Sequence, residues 1–149
     1  MGAPGRQINT MGERVFADTN LFLRYLTNDI PEQAEAFEKT LRDAAAGRLT
    51  LVVSPLVCAE IVWTLESYYR LPKDDIQQKL LAMLNTPGLE IPGGEIVLQA
   101  IIWYGDKNVD FIDAYHAAWV ASQDITRVYT FDRKHFARFS GITVKIPGE

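Results

Sequence analysis

Four acidic residues stand where a carboxylate could do chemistry. Asp18 heads the triplet Asp18-Thr19-Asn20, directly after the apolar run Val15-Phe16-Ala17. Asp132 follows a second run, Val128-Tyr129-Thr130-Phe131. Both runs predict buried strands, and ligands of parallel α/β sheets bind beyond the carboxyl ends of the strands. Glu60 and Asp113 sit in apolar helical stretches, where a lone buried carboxylate is costly. Four converging carboxylates would hold a hard divalent cation, Mg²⁺ or Mn²⁺. Ions so held can activate a water for in-line attack on a phosphodiester, leaving 5′-phosphate and 3′-hydroxyl ends.

Each acid also has a plain structural use. Asp18 suits a helix N-cap or a strand-end turn, with Thr19 as an alternative cap. Glu60 can reach solvent from the edge of an apolar stripe. Asp110 is placed as an N-cap, with Asp113 at the capping-box position. Asp132 can cap a helix starting at Arg133. Around the acids, Asn20 could orient Asp18 or hold a water, and the Thr130 hydroxyl could meet a carboxylate or a phosphate. Arg133, Lys134, His135 and Arg138 could form a basic rim for a polyanion, or simply a solvated helix face. His116, one turn beyond Asp113, reads as packed or substrate-facing.

The elements that must position these groups alternate between strand and helix, which predicts an α/β domain with a largely parallel sheet. Strands are expected near residues 14–17, 49–53, 89–91, 127–130 and 143–146. Helices are expected over about 20–26, 31–47, 55–69, 72–86, 95–105 and 111–122, with a short one after Asp132. Ser54 is the expected N-cap of the third helix, with Pro55 at its first position. The small residues Ala114, Ala117, Ala118 and Ala121 would let the last long helix approach another element closely and bring Asp113 toward the strand ends.

The chain has 149 residues, 48% of them hydrophobic and 23% charged. That suits one soluble domain with a real core. No run is long enough to span a membrane. Residues 1–12 read as a flexible N-terminal tail rather than a secretory signal, with Met11 an alternative start, and residues 13–149 as the folded domain. The single cysteine, Cys58, has no internal partner, so a cytoplasmic protein is expected. Net charge is −4. Setting aside the four suspected site acids leaves the remainder balanced, so no global positive field attracts nucleic acid. A polyanionic substrate would rely on metal ions and a local basic rim.

Taken together, these motifs resemble the PIN-domain nucleases, and most closely the VapC-type toxins of toxin–antitoxin pairs. Asp18-Thr19-Asn20 matches the acid-Thr/Ser-Asn signature after strand one. Glu60 in Ser54-Pro55-Leu56-Val57-Cys58-Ala59-Glu60 matches the family's second acid. Asp113-Ala114 within Asp110-Phe111-Ile112-Asp113-Ala114-Tyr115-His116 matches the third, and Thr130-Phe131-Asp132 the fourth. Asn28-Asp29-Ile30-Pro31-Glu32-Gln33-Ala34 is similar to the family's second-helix entry. The likeness runs from about Val15 to the C-terminus; Phe131 departs from the polar residue often found there.

The resemblance implies a sheet ordered 3-2-1-4-5 with helices on both faces. It also implies Mg²⁺- or Mn²⁺-dependent RNA cleavage with Asp18, Glu60, Asp113 and Asp132 as the site acids, frequent homodimers, and inhibition by a cognate antitoxin. The aromatic residues around Trp63 place the expected dimer contact on the helices from there to Leu84. A non-toxin PIN-domain RNA-processing nuclease and a non-catalytic metal- or protein-binding module are the alternatives. A receiver-like phosphoacceptor domain is disfavoured, because strand two ends in Val53-Ser54 without an acid.

Overall fold

The computed structural model describes residues 13–149. The expected N-terminal tail lies outside the described residues. Two compact units are present, one ending at Gly94 and the other spanning Glu95–Glu149.

The first unit holds β1 (Glu13–Phe16), α1 (Thr19–Thr27), α2 (Pro31–Ala45), β2 (Leu49–Val52), α3 (Pro55–Ser67), α4 (Lys73–Leu84) and β3 (Leu89–Glu90). Its three strands are parallel in the order β1-β2-β3, with Val15 opposite Leu51 and Leu51 opposite Leu89. Asn28 ends α1 in the left-handed conformation, where its N–H closes onto the Arg24 carbonyl. Asn tolerates that conformation better than most residues. Pro31 then opens α2, its fixed φ suiting a first helical position. The two helices are locked by an edge-to-face contact of Phe22 on Phe37, centroids 5.0 Å apart. Gly88 brings the chain back beside α2: its φ is +87°, and a Cβ there would lie 2.5 Å from the Ala44 backbone carbon. Only glycine meets both demands.

Helix α3 begins as expected. Ser54 accepts the Val57 N–H at 3.3 Å, and Pro55 follows it. Val57, Cys58, Ile61, Val62 and Leu65 recur at helical spacing and are buried. Leu56, Glu60, Trp63 and Ser67 lie on the solvent side.

The second unit continues α5 (Gly94–Asp106) and holds α6 (Phe111–Ser122), β4 (Arg127–Tyr129), a 3₁₀ turn (Arg133–His135) and β5 (Thr143–Lys145). β4 and β5 are parallel, with Val128 opposite Val144. Inside this unit Trp103 packs on Phe139 and Tyr104 on Phe111. Ala114, Ala117 and Ala118 are buried along α6.

Two expectations need correction. The strands form a three-stranded sheet and a two-stranded sheet, not one sheet ordered 3-2-1-4-5. Each half of that order is kept, because each is set by a crossover between strands near in sequence. A β1–β4 junction depends on residues far apart in the chain, which local pattern does not specify. The runs before Asp18 and Asp132 are also not buried strands. Phe16 is 60% exposed and Phe131 82% exposed, and β1 and β4 are edge strands of their sheets.

Candidate functional site

Asp18 sits at the N-cap of α1, and its Oδ1 accepts the Thr19 N–H at 2.7 Å. The structural use foreseen for Asp18 is therefore real, and Thr19 is not the cap. Thr19 instead donates its hydroxyl to Oε1 of Glu60 at 2.5 Å. Asp18 and Glu60, 42 positions apart by number, are thus joined through one threonine in the first unit. Packing of α1 on α3 creates the pair. Glu60 stands on the solvent side of α3, away from the apolar stripe, which is how an unpaired carboxylate is kept hydrated.

Asp113 and Asp132 form the second pair, in the second unit. Asp113 lies in the first turn of α6, where a negative charge meets the positive end of the helix dipole. Asp110 occupies the N-cap position but makes no side-chain capping bond. Asp132 caps the 3₁₀ turn, its Oδ1 accepting the Lys134 N–H at 2.9 Å. Thr130 supports it by accepting the Asp132 N–H at 3.1 Å. His135 stands between the two acids: its Nε2 is 3.2 Å from Asp132 Oδ2, and its Nδ1 is 4.0 Å from Asp113 Oδ1. His116 is exposed, not packed.

Within either unit, among the described residues, no three His, Cys, Asp or Glu side chains gather into a ready metal cage. Among the described residues Glu38, Asp29, Asp43, Asp75, Glu90 and Glu149 each pair with an arginine or lysine. Asp18, Glu60, Asp113 and Asp132 do not.

The basic rim is partly committed elsewhere. Arg133 grips both carboxylate oxygens of Glu149, at 2.8 and 2.7 Å. Arg138 donates to the Asn108 carbonyl at 3.4 Å. Lys134 is exposed. Asn20 borders an apolar groove of about 430 Å³ lined by Val15, Phe16, Leu21, Phe37 and Leu51.

Two features escaped the sequence reading. The Thr19–Glu60 bond leaves no local signal, because its partners lie on different helices. The position of His135 beside Asp132 had one: the i, i+3 spacing places both on one side of a 3₁₀ turn.

One curated relative is the VapC ribonuclease of Aquifex aeolicus (strain VF5). It is 24% identical over 117 residues, covering 78% of this chain and 86% of that protein. The PIN domain family model matches residues 15–142, a span that includes all four acids and reaches into both units. The chain belongs to the PIN domain family.

Proposed function

We propose that this protein is a divalent-metal-dependent endoribonuclease, and that it serves as the toxin of a toxin–antitoxin pair. One observation carries the reading. The four acids that the motifs single out all lie within the span matched by the PIN family model, and none of them is paired with a lysine or arginine. A hydroxyl and an imidazole are their neighbours instead, and both can yield to a cation. The donor set of carboxylate oxygens fits a hard ion, Mg²⁺ or Mn²⁺.

In this reading Asp18 and Glu60 of the first unit, and Asp113 and Asp132 of the second, are the metal-binding acids. Thr19 orients Glu60, and Thr130 orients Asp132 through its backbone. A bound divalent ion supplies charge to a phosphate oxygen and acidity to a water. Lys134 offers charge to the RNA backbone, and Arg133 and Arg138 do so if they release Glu149 and the Asn108 carbonyl. The folded domain spans residues 13–149.

The relative is a VapC ribonuclease, and this supports both an RNA substrate and a toxin role. The apolar groove bordered by Asn20 supports a protein partner, since an amphipathic helix laid in it could deliver an arginine to Asp18 or Glu60. A homodimer through α3 and α4 fits the exposure of Leu56, Trp63 and Tyr68.

The test is cleavage of a structured RNA by purified protein with Mn²⁺, with Mg²⁺ and with chelator. Ion-dependent products with 5′-phosphate and 3′-hydroxyl ends are expected. Products ending in a 2′,3′-cyclic phosphate, or cleavage unaffected by chelator, would overturn the reading.

A further inference from the structure

His135 faces two of the site acids at once. Its Nε2 lies 3.2 Å from Asp132 Oδ2 and its Nδ1 lies 4.0 Å from Asp113 Oδ1. A local pair of Asp132 with His135 would be unremarkable, because the two are three apart on one turn. The second carboxylate comes from a different helix, and it meets the opposite ring nitrogen.

Distances support a ligand role. Two metal bonds of about 2.1 Å set at a right angle place their donor atoms about 3.0 Å apart. Nε2 and Oδ2 are therefore spaced like neighbouring ligands of one ion. Histidines that bind metals characteristically present the far ring nitrogen to a carboxylate, which fixes the proton there and aims the other lone pair at the metal. Asp113 stands on that far side. At 4.0 Å it is an electrostatic contact rather than a hydrogen bond. Lys134 and Arg133, on the same turn, are both cations and offer an ion no ligand, and Arg133 is tied to Glu149.

We propose that His135 contributes a nitrogen ligand, through Nε2, to a divalent ion shared with Asp132, with Asp113 orienting the ring. This rests on the metal-dependent reading above and adds a metal preference to it. Mg²⁺ takes oxygen ligands almost exclusively, whereas first-row transition ions accept imidazole. The site therefore favours Mn²⁺ over Mg²⁺.

The test is pulsed EPR on the full-length protein loaded with Mn²⁺, which detects a directly bound nitrogen through its modulation of the electron-spin echo. Wild type should show that modulation. It should vanish in His135→Gln and persist in His116→Gln. Mn²⁺ affinity should fall about tenfold or more in His135→Gln, on the scale seen when even supporting groups of a metal site are lost. Mg²⁺ affinity, read by competition, should change less. A wild-type spectrum without nitrogen modulation would overturn the proposal even if the variant failed to fold. Modulation that survives His135→Gln, modulation that is lost in His116→Gln, or equal losses for both ions would also overturn it. RNA cleavage measured in parallel separates the two readings. Cleavage without nitrogen coordination removes only the role of His135, and nitrogen coordination without cleavage removes only the nuclease. Absence of Mn²⁺ binding removes both.

Discussion

Substituting Asp18 separates its two roles, because asparagine keeps one and loses the other. Asp18 caps α1 through a 2.7 Å bond from the Thr19 N–H. Asparagine is as good an N-cap as aspartate, so Asp18→Asn loses only the favourable charge at the helix start, about 0.5 kcal/mol. Asp18→Ala loses the cap as well, for a total near 1.5 kcal/mol. At roughly 3 °C per kcal/mol for a chain of this size, Tm should fall by about 1–2 °C for Asn and about 4–5 °C for Ala. Activity should follow the opposite logic. On the proposed reading both variants remove a charged metal ligand, and several kcal/mol of transition-state stabilisation corresponds to a rate loss of about 10²–10³-fold. The assays are thermal melts with and without Mn²⁺, and single-turnover RNA cleavage. The expected pattern is nearly equal inactivation with unequal stability, and a Mn²⁺-induced rise in Tm that shrinks in both variants. An Asp18→Asn protein with wild-type cleavage would refute the metal role. Equal melting of the two variants would refute the cap.

Four further outcomes are expected. Gly88→Ala forces a left-handed alanine and drives a Cβ to 2.5 Å from the Ala44 backbone, so it should cost about 3 kcal/mol and roughly 10 °C in Tm; a melt within a few degrees of wild type would show that α2 moves aside. The Tyr69 hydroxyl and the Arg24 guanidinium hold the Asp29 carboxyl down at about 2, against an ordinary 3.8, so its contribution to stability is present above about pH 4 and is lost as pH falls through 2. Urea midpoints measured down that range should drop less steeply for Tyr69→Phe, and superposable profiles would refute the linkage. Burial pushes the Cys58 thiol up to about 12, so it should resist a disulfide reagent at pH 8 until the chain unfolds; rapid labelling of native protein would contradict the packing. Trp63, 69% exposed on α3, should anchor a dimer. Sedimentation at about 20 μM should show dimer for wild type and monomer for Trp63→Ser, whereas a monomeric wild type would reject the interface.

Local chemistry makes much of this protein legible in its sequence. Ser54-Pro55 specified the start of α3, Asn28 and Pro31 the break between α1 and α2, and apolar periodicity the helices themselves. Such signals act over three or four residues, so sequence carries them directly. The four acids were equally visible, because each follows a strand or occupies a helix in a recognisable motif. What the sequence left open were relations between distant residues. It did not join Thr19 to Glu60, or place His135 between Asp132 and Asp113. It predicted buried strands where Phe16 and Phe131 face solvent, because an apolar run is identical in a central strand and in an edge strand. It predicted one sheet where two are formed, because strand neighbours are chosen by hydrogen bonding across the fold and not by the order of residues. The residue types decided which chemistry is available; tertiary packing alone decided which side chains share it, since contacts between remote segments depend on how whole helices and strands are placed.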